Sequence, residues 1–268
     1  LNELPEQEQL LQNQATSLFI FTMPDRVGAE SLFDMDESEE HRRAQFSIAQ
    51  EALKVRKLGT DLITLAGGQF IHPVKAHIGG VSGGIARQAA DALVKELREM
   101  LPVACHLFDA YWDMSMAMKD RIGTWGDDEP AYYISSTASI KPRLNSGHMR
   151  VLSPDGEEKE HFTPEEFEKR LEFTQTEYSY AGQTSYQGHI LRANSLARIN
   201  ITSAFETPLA DSYLERFRAS FGSPAHAILC FDLCRGIELV HAMERAIELL
   251  EDDLEHGETE VGYTPKDG

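Results

Sequence analysis

Cysteine is scarce in this sequence. Three cysteines, Cys105, Cys230 and Cys234, stand among 268 residues. Such an odd, low count excludes a disulfide framework and favours a reducing compartment, so we expect a cytoplasmic protein. Cys230 and Cys234 would share a helix face, but a metal site built on them would lack a second ligand pair. We therefore expect both to be small buried apolar residues.

Long apolar runs and basic residues are also in short supply. No segment approaches the roughly 20 apolar residues that span a bilayer, so no transmembrane segment is predicted. Lys and Arg number 25 against 44 Asp and Glu, which gives a formal charge of −19. Because a nucleic-acid surface needs clustered Lys and Arg, this balance argues against a nucleic-acid partner. Phosphate-binding loops, dinucleotide fingerprints and nucleophile elbows are absent from the sequence as well.

Helical periodicity dominates what is present. Helix-forming residues predict a helix over residues 5–21, and further helices are predicted over 39–65, 87–99, from after Pro102 to about residue 120, and over 224–254. Pro24 is expected to end the first helical segment, because proline cannot continue a helix. The pair Gly67-Gly68 is expected to end the second.

A short region of different character interrupts the helices, at about residues 131–160. Two short strands are predicted at 132–135 and 148–152, and Ser153-Pro154-Asp155-Gly156 is a turn signal. Thr163, Pro164 and Glu166 then predict a capped helix start. We expect a mainly α protein with a small β insert, of class α+β, folded as a single domain over residues 1–268. Arg198 and Asn200, on an apolar stretch, are expected to form a buried hydrogen-bonding anchor.

The most distinctive stretch is glycine-rich and runs from Gly67 to Gly80, with the sequence Gly-Gly-Gln-Phe-Ile-His-Pro-Val-Lys-Ala-His-Ile-Gly-Gly. Each glycine pair permits positive φ or close backbone approach. The His-Pro step is expected to hold His72 in an extended conformation. From the residues alone, a structural turn with a solvated histidine and a rigid loop presenting that histidine both remain open.

This stretch resembles the second signature of nickel–iron hydrogenase large subunits, although Gln69 stands where the family has arginine. Four further segments are similar to that family in the same order: Phe21–Asp25, Leu53–Gly59, Leu196–Asn200 and Glu238–Leu250. The closest likeness is to the cytoplasmic, cofactor-linked hydrogenases. The resemblance implies a helical large-subunit body and reversible oxidation of dihydrogen, with electrons passing to the iron–sulfur clusters of a small subunit. The resemblance is also compatible with further electron-transfer subunits in the complex.

The resemblance also implies a nickel–iron centre with carbonyl and cyanide ligands, held by two Cys-x-x-Cys pairs. Neither pair occurs in this sequence. No catalytic, cofactor-binding or metal-ligating residue is therefore assigned, and the chain alone is expected to be inactive. His72, Gln69, Gly79 and Gly80 are expected by resemblance to lie behind the metal ligands or to face the partner subunit's cluster. The alternative is a hydrogenase-like scaffold or electron-transfer subunit without nickel.

Overall fold

Contacts between residues divide the chain into two units. The first comprises Leu1–Met114 with Glu238–Gly268, and the second comprises Ser115–Ile237. The structure is a computed structural model that describes residues 3–27, 40–77, 80–126, 131–138, 141–142 and 147–256. A single domain over residues 1–268 stays a prediction.

Helices build most of the first unit. They are α1 (Leu4–Ala15), a π-helical segment (Thr16–Thr22), α2 (Met23–Val27), α3 (Glu40–Gly67), most of α4 (Arg87–Ala117) and the larger part of α9 (Phe231–His256). Two short strands, β1 (Ala76–His77) and β2 (Gly80–Val81), pair antiparallel after α3. The predicted end of the second helix at Gly67-Gly68 is confirmed.

Pro24 does not end the first helical segment, so that prediction was wrong. The backbone passes through the π-helical segment and resumes α-helix at Met23, which places Pro24 at the second residue of α2. Ala15 and Met23, which flank the π-helical segment, both have right-handed helical dihedral angles, so Pro24 lies within a continuous helical run whose hydrogen-bond pattern changes just before it.

Pro102 does not separate two helices either. Residues 87–117 form one helix, α4, with Pro102 inside it. The proline removes the hydrogen bond that would reach the carbonyl of Arg98. Both residues are exposed, so water can satisfy that carbonyl, while buried residues on the other face hold the helix together. These include Leu97, Ala104 and Leu107.

Helices α1 and α3 pack closely within the first unit. A Cβ added at Gly59 of α3 would lie 2.9 Å from the backbone nitrogen of Gln12, so a larger residue would push the helices apart. Val55, Leu58 and Leu62 are buried at three- and four-residue steps, as the periodicity predicts.

A sheet occupies the second unit and extends well beyond residue 160. Its strands are β3 (Tyr132–Ala138), β4 (Lys141–Pro142), β5 (His148–Leu152), β6 (Glu158–Phe162), β7 (Glu172–Gln175), β8 (Gly182–Tyr186) and β9 (His189–Arg192). They run in the order β6-β5-β3-β9-β8-β7, with β4 beside β3. The pair β3–β9 is parallel and the other pairs are antiparallel. The predicted strands at 132–135 and 148–152 are confirmed, but the predicted boundary falls short because β7, β8 and β9 continue the sheet.

Further helices complete the second unit. They are α5 (Lys119–Ile122), α6 (Phe167–Arg170), α7 (Ser195–Ile201) and α8 (Pro208–Phe221). The predicted capping box at Thr163 and Glu166 is present. The last helix, predicted from residue 224, begins at Phe231 after a short 3-10 turn. The α+β class is confirmed, and no helix in the described ranges has the length and apolar character needed to cross a membrane.

Candidate functional site

The loop after α3 closes on a single carbonyl. The backbone N–H groups of Val74 and Lys75 both donate to the Gly67 carbonyl, at 2.9 and 3.1 Å. The Lys75 ammonium donates to the carbonyl of Leu65 at 2.8 Å. These bonds tie residues 74 and 75 to the end of α3, so residues 67–75 form a closed loop, called here the histidine loop.

Two glycines make this closure sterically possible. A Cβ on Gly67 would stand 2.7 Å from Cβ of Pro73, closer than two such atoms approach in folded proteins. Gly68 has φ of +87°, a backbone conformation that side chains disfavour. The predicted positive φ is confirmed at Gly68, whereas the close approach at Gly67 is to the Pro73 side chain rather than to another backbone.

His72 sits at the turn of the histidine loop, but not in the predicted conformation. Its φ is 58°, in the left-handed region, so the expectation of an extended residue before proline was wrong. The side-chain amide of Gln69 donates to the His72 carbonyl at 2.5 Å. That hydrogen bond and the closure on Gly67 outweigh the local preference imposed by Pro73.

Exposed side chains cover the outer surface of the histidine loop. His72 and Gln69 are exposed, and Ile71 and Val74 are 67% and 63% exposed. Gly80 lies in β2, where it pairs with His77 of β1. Gly79 lies outside the described residues. The structure thus brings His72 and Gln69 together, while their roles stay predictions.

Two polar pairs between the start of the chain and α9, one half-buried and one buried, were missed by sequence reasoning. The Arg245 guanidinium forms a bidentate pair with Glu3, at 2.9 and 3.0 Å. Hydrogen bonding to that carboxylate raises the pKa of Arg245. Near the other end of α1, Gln14 donates to the buried Glu238 carboxylate at 2.5 Å. The two pairs link α1 and the residue before it to α9.

Glu8 lies on the apolar face of α1. It shares three- and four-residue steps with Leu4, Leu11 and Ala15, and all four are buried. Among the described residues, its Oε1 atom has no hydrogen-bond partner. Burial raises the pKa of the Glu8 carboxyl from 4.5 to about 8, because the charged form loses its hydration. Helical periodicity applied to residues 4–15 would have flagged this carboxyl among the leucines.

A polar anchor in the second unit holds the segment before α9. Asn200 donates to the Ala225 carbonyl at 2.9 Å and accepts from the Ala225 N–H at 3.0 Å. The buried Tyr133 hydroxyl lies 2.7 Å from Nδ1 of His226, and Arg192 donates to the His226 carbonyl at 2.5 Å. The predicted anchoring role of Asn200 is confirmed. Tyr133 and Arg192 were not predicted, because they approach from distant strands.

The side chains that the structure describes do not fit a nickel–iron centre. They include no group of three or more His, Cys, Asp or Glu residues able to hold a metal ion. Cys230 and Cys234 are fully buried, and the Cys230 thiol donates to the Ile122 carbonyl at 3.7 Å. The whole chain contains three cysteines, one fewer than the four-thiolate set. The expectation that Cys230 and Cys234 are buried apolar residues is confirmed.

Comparison with known proteins places this chain among hydrogenases. No family model matches it. One subunit of the F420-non-reducing hydrogenase vhu of Methanocaldococcus jannaschii is 31% identical over 227 residues, covering 82% of this chain and 54% of that protein. The beta subunit of the NAD-reducing hydrogenase HoxS of Cupriavidus necator is 23% identical, covering 94% of this chain and 54% of that protein. The chain therefore spans about half the length of the curated relatives it matches.

Solved structures share the fold. An NAD+-reducing [NiFe]-hydrogenase in the H2-reduced state superimposes with a TM-score of 0.83 at 21% identity, covering 99% of this chain and 60% of that one. A [NiFeSe] hydrogenase from Desulfovibrio vulgaris Hildenborough superimposes with a TM-score of 0.73 at 16% identity, covering 98% and 62%. At such identities the superposition shows the fold alone, and the family relationship rests on the sequence relatives. Together they identify the chain as a nickel–iron hydrogenase large-subunit-like protein.

Proposed function

We propose that this chain forms the central body of a nickel–iron hydrogenase large subunit, whose complete protein oxidises dihydrogen reversibly to protons and electrons. The observation that carries the proposal is the similarity to an F420-non-reducing hydrogenase, 31% identical over 227 residues. The shared fold over 99% of the chain supports it. The low, odd cysteine count favours a cytoplasmic location.

The partner in this proposal is an iron–sulfur small subunit that covers the histidine loop. Ile71 and Val74 are 67% and 63% exposed, and they flank an exposed histidine. Apolar side chains held on a constrained backbone bind a partner with little loss of conformational entropy. Under that partner, a ring nitrogen of His72 would form a hydrogen bond to the nearest iron–sulfur cluster. That hydrogen bond would tune the reduction potential of the cluster.

The nickel–iron ligands of the complete protein come, in this proposal, from residues other than these 268. The described side chains supply no ligand group, and three thiols cannot make a four-thiolate set. The chain contributes the helical body, the surface that contacts the partner subunit, and side chains that lie behind the metal ligands. By itself it is expected to show no hydrogen-dependent activity.

Metal content and hydrogen-dependent dye reduction test the proposal. The intact gene product, purified with its partner subunits, should contain nickel and iron and should reduce a viologen dye under hydrogen. The same measurements on the isolated chain should give neither metal nor dye reduction. An intact complex that contains iron–sulfur clusters without nickel, and is inert towards hydrogen, would instead identify a scaffold or electron-transfer subunit.

A further inference from the structure

The described strands of the sheet in the second unit end at two edges, β6 and β7. The β6 edge carries three charged residues in a row, Glu158, Lys159 and Glu160. Its pairing with β5 also shifts register between Val151 and Leu152, which leaves Lys159 as an extra residue. Charged side chains and bulges are the devices by which natural sheets prevent a further strand from adding. The β6 edge is therefore protected against another strand.

The β7 edge carries none of these devices. Its four residues, Glu172–Gln175, are all exposed, and they include neither lysine nor proline. Its pairing with β8 is regular from end to end. On its outer side, no backbone hydrogen bond joins these four residues to any other part of the chain that the structure describes. Free N–H and C=O groups along a regular edge are ready to pair with a further strand.

Exposed aromatic side chains mark the hairpin formed by β7 and β8. Phe173 is 73% exposed, although its ring lies so close over Gly182 that an added Cβ there would overlap it. Tyr178 and Tyr180, in the connection between the strands, are 85% exposed and fully exposed. Aromatic residues are enriched at protein interfaces, and a contiguous exposed group of them marks an interaction surface. This surface is continuous with the open edge of β7.

Opposite charges flank β7. Lys169 precedes the strand and Glu177 follows it, and both side chains are exposed. Neither forms an ion pair within the described residues. When two identical strands pair antiparallel, the start of one lies against the end of the other. Lys169 of one copy would then lie near Glu177 of the second copy, and this pairing would occur twice.

We propose that β7 pairs antiparallel with β7 of a second copy of this chain, about a twofold axis beside Phe173. In this register Phe173 lies opposite its own counterpart, and Glu172 lies opposite Thr174. Directly opposed aromatic residues pack across the axis. Such a contact is self-complementary and closes at two copies, so the edge is covered without further growth. This surface lies beyond the proposed hydrogenase function and does not depend on it.

Disulfide cross-linking of the intact gene product tests the register. Directly opposite residues have Cα atoms roughly 4.5–5.5 Å apart, within the span that a disulfide bridges. Phe173→Cys should therefore give a covalent dimer under mild oxidation, seen on a non-reducing gel. Gln175→Cys, also exposed and on the same face of β7, is the matched control. Its counterpart would lie four residues away along the strand, about 13 Å, so it should remain uncross-linked.

Charge reversal tests the orientation, with dimerisation measured by analytical ultracentrifugation. Since a net charge of −19 repels the two copies, the measurement belongs at about 0.15 M salt. Lys169→Glu sets carboxylates against each other at both ends of the contact and should weaken dimerisation about fivefold. Adding Glu177→Lys to the same chain should restore it. Glu215→Lys, an exposed charge reversal on α8, is the control and should leave dimerisation unchanged.

The outcomes separate this pairing from other occupants of the β7 edge. A gene product present as one copy at every concentration overturns the proposal, as does equal cross-linking of Phe173→Cys and Gln175→Cys. A disulfide from Phe173→Cys to a different subunit also overturns it and assigns the edge to that subunit. If Phe173→Cys fails to fold by circular dichroism, the charge reversals decide, because a double variant that stays as weak as Lys169→Glu excludes the antiparallel contact.

Discussion

At the scale of single residues, Glu8 places a carboxyl on the apolar face of α1. It occupies a leucine position on α1, is 2% exposed, and has a pKa raised to about 8 by burial. A carboxyl in such a site is held in its neutral form, because ionisation would bury an uncompensated charge. Stability therefore depends on a proton at this position.

The direction of that dependence follows from the two states. Between pH 4.5 and about 8 the folded protein keeps the Glu8 proton while the unfolded chain releases it. The contribution to stability is full below pH 4.5 and is lost as pH rises through 8. Glu8→Gln should remove this loss and raise the unfolding free energy at pH 8 by roughly 3–5 kcal/mol, with little change at pH 4.5.

Urea denaturation of both proteins between pH 4.5 and 8.5 measures this difference. The exposed substitution Glu168→Gln, on α6, is the control and should follow the unchanged protein across the range. Parallel stability profiles for Glu8→Gln and the unchanged protein would show that Glu8 is ionised in the folded state.

At the scale of secondary-structure elements, α4 runs through Pro102 without a break. Pro102→Ala restores an N–H for the Arg98 carbonyl at an exposed position. Since proline in a helix interior is about 3 kcal/mol less favourable than alanine, the substitution should stabilise the protein by roughly 1–3 kcal/mol. Thermal unfolding measures the gain. A lower melting temperature would mean that the helix needs its proline.

The anchor formed by Asn200 acts between α7 and the segment that leads to α9. Asn200→Ala removes two hydrogen bonds and leaves the Ala225 N–H and carbonyl without them in a buried place. We expect a loss of roughly 2–4 kcal/mol in the unfolding free energy. Arg218→Lys, on α8, retains a cation near the carbonyls of Ile199 and Thr202 and should cost less. Equal losses would contradict a special role for Asn200.

At the scale of the whole molecule, sequence patterns identified the elements whose structure depends on residues close together in the sequence. Helix periodicity located α3 and most of α9, the turn at residues 153–156 was recognised by its residue types, and Gly67-Gly68 ended α3 as expected. Two proline breaks were predicted and neither occurs. Helix packing and a π-helical segment override the local preference of proline there, and neither is encoded within a few residues.

The candidate sites also combine features that short sequence patterns reveal with features that depend on contacts between distant residues. His72 was singled out from a glycine pattern, but its φ of 58° depends on a hydrogen bond from Gln69 and on closure at Gly67. The Glu3–Arg245 pair joins residues 242 positions apart, so no short window could reveal it.

The intact hydrogenase proposed for this chain offers a test of His72. His72→Ala in the complex should slow hydrogen-dependent reduction of the electron acceptor while leaving nickel content unchanged, because the side chain is exposed and outside any ligand group in the described residues. Gln69→Ala, which removes the bond to the His72 carbonyl but keeps the ring, should have a smaller effect. Loss of nickel in His72→Ala would point to a structural role instead.

The shared carbonyl at Gly67 has a consequence for amide hydrogen exchange. The side chain of Val74 is open to solvent, yet its N–H, like that of Lys75, is bonded to Gly67. Exchange of these two amides should therefore be slow compared with that of other surface loops, and their rates should report on closure of the loop. Gly67→Ala, whose methyl group would collide with Pro73, should release both amides at once and accelerate their exchange together.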